Sequence, residues 1–340
     1  MSRVVTFGEI MLRLAPENYL RIVQSDRLCA TFGGAEANVA VSLCNYGVDA
    51  AFVTRLPAHE VGRAAVCSLK KYGVNTEHIV YGGERVGIYY CEKGASQRPS
   101  KVIYDRAHSS IAEAARGDFD WERIFDGAEW FHFTGITPAL SDGVADICLD
   151  AVKAAKKLGL KISCDLNYRK KLWSKERAGA VMGELCGYVD HCIANEEDAK
   201  DVFGIAAENS DVTGGRLDRD GYTEVAKKLT EKFGFESVAI TLRESVSASD
   251  NNWSGMLYTG GKPYFAKKYA MRIVDRVGGG DSFGGGLIYS LLGGSDPQTA
   301  VEFAVAASCL KHSIEGDYNL VTVDEVKTLA SGDGSGRVQR

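Results

Sequence analysis

The sequence lacks an apolar stretch long enough to cross a membrane, an excess of positive charge, and any closely spaced pair of cysteines. A spanning helix needs about 20 consecutive apolar residues, and no run here approaches that. The formal net charge is -5, which gives no attractive field for nucleic acid or for an anionic membrane surface. The nine cysteines are odd in number and scattered, with no Cys-x-x-Cys. That distribution speaks against a disulfide framework or a zinc site, and buried free thiols suit a reducing cytoplasm. The six histidines show no metal-ligand spacing, and there is no internal repeat or charged tail.

What is present is the composition of an ordinary globular protein, 45% hydrophobic and 25% charged over 340 residues. That length suggests one large domain with an appendage, or two domains. The run Val4–Phe7 is too short for a signal sequence and is expected to be a strand leading into a Gly-Glu turn. From there strands alternate with helices. Strands are expected at Val4–Phe7, Ala51–Val53, Trp130–Phe133, Lys161–Cys164, Val189–Ala194 and Ser237–Thr241. Helices are expected at Glu36–Tyr46, Glu60–Tyr72, Asp142–Leu158, Ala178–Leu185, Glu196–Phe203 and Tyr222–Phe233. Short apolar strands between amphipathic helices predict an α/β fold, with a mostly parallel sheet and helices on both faces. Ligands then bind beyond the carboxyl ends of the strands.

Two stretches break the rhythm. Arg85–Glu92 and Ser100–Arg106 read as short strands around a turn at Gly94–Pro99. With Met11–Leu14 and Arg21–Thr31 they predict a small inserted β-sheet, from about 11–31 and 85–106 within one domain of residues 1–330, that is either a lid over the active site or a mere surface hairpin. Residues 331–340 are polar and glycine-rich and are expected to be a disordered tail.

The most informative segment runs Asp275-Arg276-Val277-Gly278-Gly279-Gly280-Asp281, and an apolar helix pattern begins at once after it. A glycine run entering a helix presents backbone N–H groups that no intrahelical carbonyl satisfies, which makes a phosphate cradle. An acid at its mouth suits proton acceptance from a hydroxyl attacking that phosphate; the alternative is that Asp281 merely caps the helix. The loop is neither a dinucleotide fingerprint nor a P-loop, since no Lys-Ser or Lys-Thr follows the glycines.

Gly33-Gly34 followed by Asn38, together with Gly278-Gly279-Gly280-Asp281, resembles the ribokinase-like (PfkB) carbohydrate kinases over about Val4 to Leu329. Tyr104-Asp105-Arg106, Gly135–Leu140 and Asp165-Leu166-Asn167-Tyr168-Arg169 are similar to the members acting on 2-keto-3-deoxygluconate. The resemblance implies a Rossmann-like domain with a β-sheet lid, ATP with Mg2+, and γ-phosphoryl transfer to a sugar hydroxyl. It assigns Asp281 as catalytic base and Gly278, Gly279 and Gly280 as the anion hole, with Gly279 where Ala is commoner. Gly33, Gly34 and Asn38 correspond to substrate-binding positions, the glycines allowing polyol hydroxyls close to the backbone. Arg169 matches a carboxylate-binding position, and Arg offers a fork for a sugar acid. Tyr89, Tyr104 and Arg106 match lid contacts to the sugar, with Tyr90 an alternative to Tyr89, and Ile136 lines the pocket.

On the nucleotide side, Asn195 and Asp198 stand where the family has Asn-x-x-Glu, which implies a water-mediated magnesium role for the shorter Asp198. Thr241 and Arg243 fall where a Gly-rich turn over the ATP phosphates is usual, and Glu244 is a further departure. A monovalent cation is left open, as is the C4 epimer of the sugar. Competing readings are a kinase for a neutral sugar such as fructose or ribose, and a catalytically silent binding protein. The expected partners are a small-molecule sugar acid, ATP and, through the lid, a second copy of the chain.

Overall fold

A computed structural model describes residues 3–195, 197–207, 219–334 and 336. The chain begins with β1 (Val4–Phe7), β2 (Met11–Ala15), β3 (Cys29–Gly33), α1 (Ala35–Asn45) and β4 (Ala50–Val53). Next come β5 (Arg55–Leu56), α2 (Glu60–Lys70), β6 (Val80–Tyr81), β7 (Ile88–Glu92), β8 (Lys101–Asp105) and α3 (Trp121–Ile124). The middle of the chain supplies β9 (Trp130–Thr134), α4 (Asp142–Lys157), β10 (Lys161–Asp165), α5 (Lys175–Cys186), β11 (His191–Asn195) and α6 (Asp198–Phe203). Last are α7 (Arg219–Phe233), β12 (Ser237–Ser245), β13 (Asp250–Thr259), β14 (Lys262–Phe265), β15 (Tyr269–Arg272), α8 (Gly279–Leu292), α9 (Pro297–Lys311) and α10 (Val323–Ser331).

The main sheet has the order β14-β13-β12-β11-β10-β9-β1-β4, with β15 also paired to β13. From β12 to β4 all neighbours are parallel, and β13 turns the edge antiparallel. The central strands are buried on both faces, which is why they read as continuous apolar runs. One face packs a cluster that includes Phe131, Ile147, Val152, Met182 and Leu229. Clusters with Val39, Leu43, Phe283, Leu287 and Val305 occupy the other face. Helix starts follow their caps: Ser141 accepts from the Val144 amide before α4, and Asp296 accepts from the Thr299 amide before α9, whose first residue is Pro297.

A second sheet, of order β3-β2-β7-β8, stands apart from the first. Its β2–β7 pair is parallel and its other pairs are antiparallel. The expected strand Arg21–Thr31 is not formed as one element. A single 3-10 turn spans Ile22–Gln24, and only Cys29–Gly33 pairs with β2. The strand expected to end at Thr241 continues to Ser245, because Arg243, Glu244 and Ser245 pair with Trp253, Asn252 and Asn251 of β13. The residues of the tail expected to be disordered, and Glu196 at the expected start of α6, fall partly or wholly outside the described set: 196, 335 and 337–340 are not described, while α10 runs through Ser331.

A second glycine run, Gly284-Gly285-Gly286, serves packing. A Cβ on Gly285 would come within 2.8 Å of the Ser42 Cβ on α1, and one on Gly286 within 3.0 Å of the Ala304 Cα on α9. Without side chains there, α1 and α9 approach α8 closely. That approach sets Asn38 of α1 opposite the first turn of α8.

Candidate active site

The carboxyl ends of the parallel strands, the small sheet and the first turn of α8 enclose a cavity of about 420 Å³. Gly33, Gly34, Asn38, Tyr89, Tyr104, Arg106, Ile136, Arg169, Asn195, Thr241, Arg243, Gly278, Gly279, Gly280 and Asp281 all line it. They come from positions almost 250 residues apart in sequence: Asn38 and Asp281 alone are separated by 243 residues.

Gly278 is the N-cap of α8 in a left-handed conformation, φ 83°. Gly279, Gly280 and Asp281 form the first turn, whose amides have no intrahelical acceptor. Asp281 is therefore not the cap, and no side-chain cap bond is made. Instead its Oδ2 accepts from Asn38 Nδ2 at 2.6 Å. Burial pushes the Asp281 carboxyl up to about 6, against the opposing Asn38 bond; Asp317 adds to the rise, while Arg169 and Lys311 oppose it. Such a carboxyl is poised for proton transfer near neutral pH. The Asn38 Oδ1 accepts from the Gly34 amide at 3.3 Å. Both polar atoms of this amide have a protein partner, which orients Asp281, and its second N–H is left for a ligand hydroxyl.

The Gly33-Gly34 pair also has a packing reason. A Cβ on Gly33 would overlap the Asp317 carboxylate, and one on Gly34 would overlap the Glu9 carbonyl oxygen. Gly279 is held likewise, since a Cβ there would run into the His312 ring, whereas a Cβ on Gly280 meets nothing within 4 Å.

Arg169 follows from its loop. The Asp165 Oδ1 accepts from the Asn167 amide at 3.1 Å, and Asn167 takes a left-handed φ of 38°, a turn that Asx residues favour. The chain then returns with the Tyr168 amide donating to Asp198 Oδ1 at 3.1 Å. Arg169, half-buried, donates to the Tyr168 carbonyl at 3.2 Å and has no ion pair at hydrogen-bond distance among the described residues. It borders both the cavity and an adjoining one of about 1020 Å³.

Arg106 behaves differently. Its guanidinium donates to the buried Glu9 carboxylate, through Nε at 2.8 Å and also through Nη2. Its charge is paired within the protein, although the side chain lines the cavity. Tyr89 is the buried member of the Tyr89-Tyr90 pair and lines the cavity, but its hydroxyl donates to Asp317 Oδ2. Tyr104 stands 40% exposed, with its ring 6.1 Å from that of Tyr89. Ile136 lines the wall between β9 and α4.

Asp198 is not in the catalytic cavity. It borders the adjoining one, and its two carboxylate oxygens accept from the amides of Tyr168 and Asn195, at 3.1 and 3.2 Å. Asn195 Oδ1 accepts from the Glu197 and Asp198 amides and so starts α6. Among the described residues no group of three or more His, Cys, Asp or Glu could hold a metal ion. Magnesium in such a site would be carried chiefly by phosphate oxygens and water.

Thr241 and Arg243 lie on β12 and line the same cavity. Arg276 joins them there. Burial lowers its pKa, and the positive charge of Arg243 lowers it further. The Arg276 Nε is buried without a hydrogen-bond partner. Two cations lining one cavity, one with an orphan donor, fit a polyphosphate. Glu244 points elsewhere, accepting from Asn252 Nδ2 and Lys268 Nζ at 2.8 and 3.1 Å.

Sequence reading missed a buried polar set behind the glycines. Arg13 of β2 donates to Asp275 and Asp317, each at 2.6 Å. Glu36, in the first turn of α1, is 1% exposed and accepts from the Thr134 amide and from the hydroxyls of Thr134 and Thr137. Burial carries its carboxyl up to about 7. Only contacts across the whole chain single these residues out.

A doubly covered α/β sheet with a glycine loop at a helix start, an acid beside it and several arginines lining one cleft defines a small-molecule kinase. The pfkB family carbohydrate kinase model matches residues 1–322, and the chain belongs to that family. It is 33% identical to 2-dehydro-3-deoxygalactonokinase of Haloferax volcanii, over 98% of each chain. It is 26% identical to 2-dehydro-3-deoxygluconokinase of Thermoproteus tenax, over 93% of this chain and 90% of the relative. Among solved structures, 2-dehydro-3-deoxygluconokinase of Thermotoga maritima superposes with a TM-score of 0.94 at 54% identity, covering 97% of this chain and 98% of that one.

Proposed function

We propose that this carbohydrate kinase transfers the γ-phosphoryl group of ATP to 2-keto-3-deoxygluconate, giving 2-keto-3-deoxy-6-phosphogluconate. The observation that carries the reading is Arg169, a cation without an acid partner at hydrogen-bond distance on the same cavity as Asp281. A sugar acid supplies the carboxylate that its fork fits; the nearby acids Asp165, Asp198 and Asp281 feel its charge but none bonds to it, so a neutral sugar leaves the fork without an ion pair. The relatives named above act, by their names, on 2-dehydro-3-deoxy sugar acids.

In this reading Asp281, aimed by Asn38, takes the proton of the attacking hydroxyl. The first-turn amides after Gly278 neutralise charge on the transferred group. Magnesium-bound ATP supplies the phosphoryl group; Arg243 and Arg276 hold its phosphates beside Thr241 and Asn195. Transfer of this kind gains most from positioning and charge stabilisation. The small sheet acts as a lid that keeps water out, and its exposed strands β3 and β8, with Ile103 57% exposed, pair with a second copy. All nine cysteines are free, as a cytoplasmic protein requires. A monovalent cation has a competitor for its place in the ammonium of Lys311.

The test is ATP-dependent turnover with magnesium on 2-keto-3-deoxygluconate, its C4 epimer, fructose and ribose. High kcat/KM on the first is expected. Turnover confined to the neutral sugars would overturn the reading, and no turnover with any of them would favour a silent binding protein. The name of the Haloferax volcanii relative makes the C4 epimer the second candidate.

A further inference from the structure

Lys311 is a charged side chain with no solvent exposure at all. It ends α9, and its Nζ donates to three backbone carbonyls: Gly316 at 2.6 Å, and Asp275 and Ile314 each at 3.3 Å. Three acceptors require three N–H donors, which only the protonated ammonium has. Two of the carbonyls belong to the segment just after α9, where a lysine capping its own helix end would reach. The third does not: Asp275 lies 36 residues earlier and opens the loop that becomes Gly278–Asp281.

The stem of Lys311 also passes behind the anion loop, its Cε 3.3 Å from where a Cβ on Gly278 would stand. The same end of α9 grips that loop twice more. Ser308 Oγ donates to the Gly279 carbonyl at 2.7 Å, and the Val274 amide donates to the His312 carbonyl at 2.8 Å. Asp275 and Asp317, both buried and both bridged by Arg13, supply counter-charge nearby. A neutral amide could satisfy carbonyls at lower desolvation cost than a buried ammonium, so the charge itself calls for a role. Backbone carbonyls converging on one cation are how proteins hold a dehydrated alkali ion.

We propose that the Lys311 ammonium is a tethered monovalent cation: it fixes the Asp275 carbonyl, and through it the Gly278–Asp281 loop, so that the reaction needs no free potassium or sodium ion. Lys311 is then a positioning residue, acting through the loop amides. The proposal rests on the phosphoryl-transfer reading of that loop and is independent of which sugar is the acceptor.

The experiment compares chloride salts of potassium, sodium, ammonium and choline. The wild-type protein should show the same ATP-dependent rate and the same thermal midpoint in all of them. Lys311→Ala, which opens the carbonyl cage, should lose about tenfold or more of the rate in choline, as expected for a misplaced reacting group. Potassium or ammonium should restore much of that rate and raise the ligand-free midpoint of the variant, by mass action on a vacated site. The thermal arm needs no substrate, so a wrong sugar assignment leaves it intact. Lys311→Met, whose stem refills the cage without charge, should be slow and beyond rescue. A wild-type rate that depends severalfold on potassium overturns the proposal, whether or not either variant folds. So does a folded Ala or Met variant with full rate in choline, or a slow, folded Ala variant that no cation rescues.

Discussion

Asn38 and Asp281 are joined by a 2.6 Å hydrogen bond between the first helix of the main domain and the helix that follows the glycine loop. The amide donates to the carboxylate, so it favours the charged form of the group that must accept a proton. Burial works the other way and sets the carboxyl at about 6. A base that must be unprotonated loses rate as pH falls through its pKa, so kcat should rise with pH and level off above about 6. Asn38→Ala removes the bond that favours the carboxylate, and its acid limb should move to higher pH. Asp281→Asn should keep sugar binding by calorimetry while kcat falls about 100- to 10,000-fold. An acid limb unmoved in Asn38→Ala would detach the two residues.

Arg169→Leu should raise KM for the sugar acid about tenfold or more, equivalent to about 1.4 kcal/mol of binding, with a smaller change in kcat. Arg106→Leu should instead strand the buried Glu9 carboxylate, with which it is paired. Its main effect should be a lower denaturation midpoint, since an unpartnered buried charge is costly. Equal KM effects from the two substitutions would mean that both guanidinium groups meet the substrate.

The contrast between those two arginines marks what the sequence could convey. Gly278–Asp281, Gly33-Gly34 and Asn38 stand at strand-to-helix turns with glycine or Asx chemistry, which is local and visible in the letters. The alternating strands and helices were legible for the same reason, because burial on both faces leaves unbroken apolar runs. Glu9, Asp317, Arg13 and Lys311 have no local mark. Each is a charged residue in an ordinary context, and only contacts made in the fold mark it as internal: Arg13 and Asp317 are 304 residues apart, Glu9 and Arg106 are 97 apart, and Lys311 and Asp275 are 36 apart. The extension of β12 past Thr241 was hidden similarly, since Arg243-Glu244-Ser245 is largely exposed and takes its strand geometry from β13.

The two glycines inside the anion loop should respond differently to alanine. Gly279→Ala drives a methyl group into the His312 ring, and the whole start of α8 must shift. Overpacking of this sort costs about 1–3 kcal/mol, so the thermal midpoint should drop along with kcat. Gly280→Ala meets no atom within 4 Å. Its methyl enters the space a phosphate would use, so it should keep the midpoint and lose activity. Equal thermal effects from the two would show that the His312 contact yields easily.

Arg243→Ala and Arg276→Ala should each raise KM for ATP while leaving KM for the sugar acid nearly unchanged, the inverse of Arg169→Leu. The Arg243 side chain is exposed and makes no hydrogen bond or ion pair among the described residues, so its removal should not affect stability. Arg276 is half-buried and donates to the Ala248 carbonyl at 3.2 Å, so a modest loss of stability is expected as well. Burial and, after it, the charge of Arg243 make Arg276 hold its proton less firmly, and a bound polyphosphate relieves that repulsion. Because the attraction is between charges near solvent, the ATP KM of the wild type should rise with ionic strength. In the Arg243→Ala variant that rise should be shallower. A salt dependence identical in the two proteins would exclude Arg243 from the phosphate site.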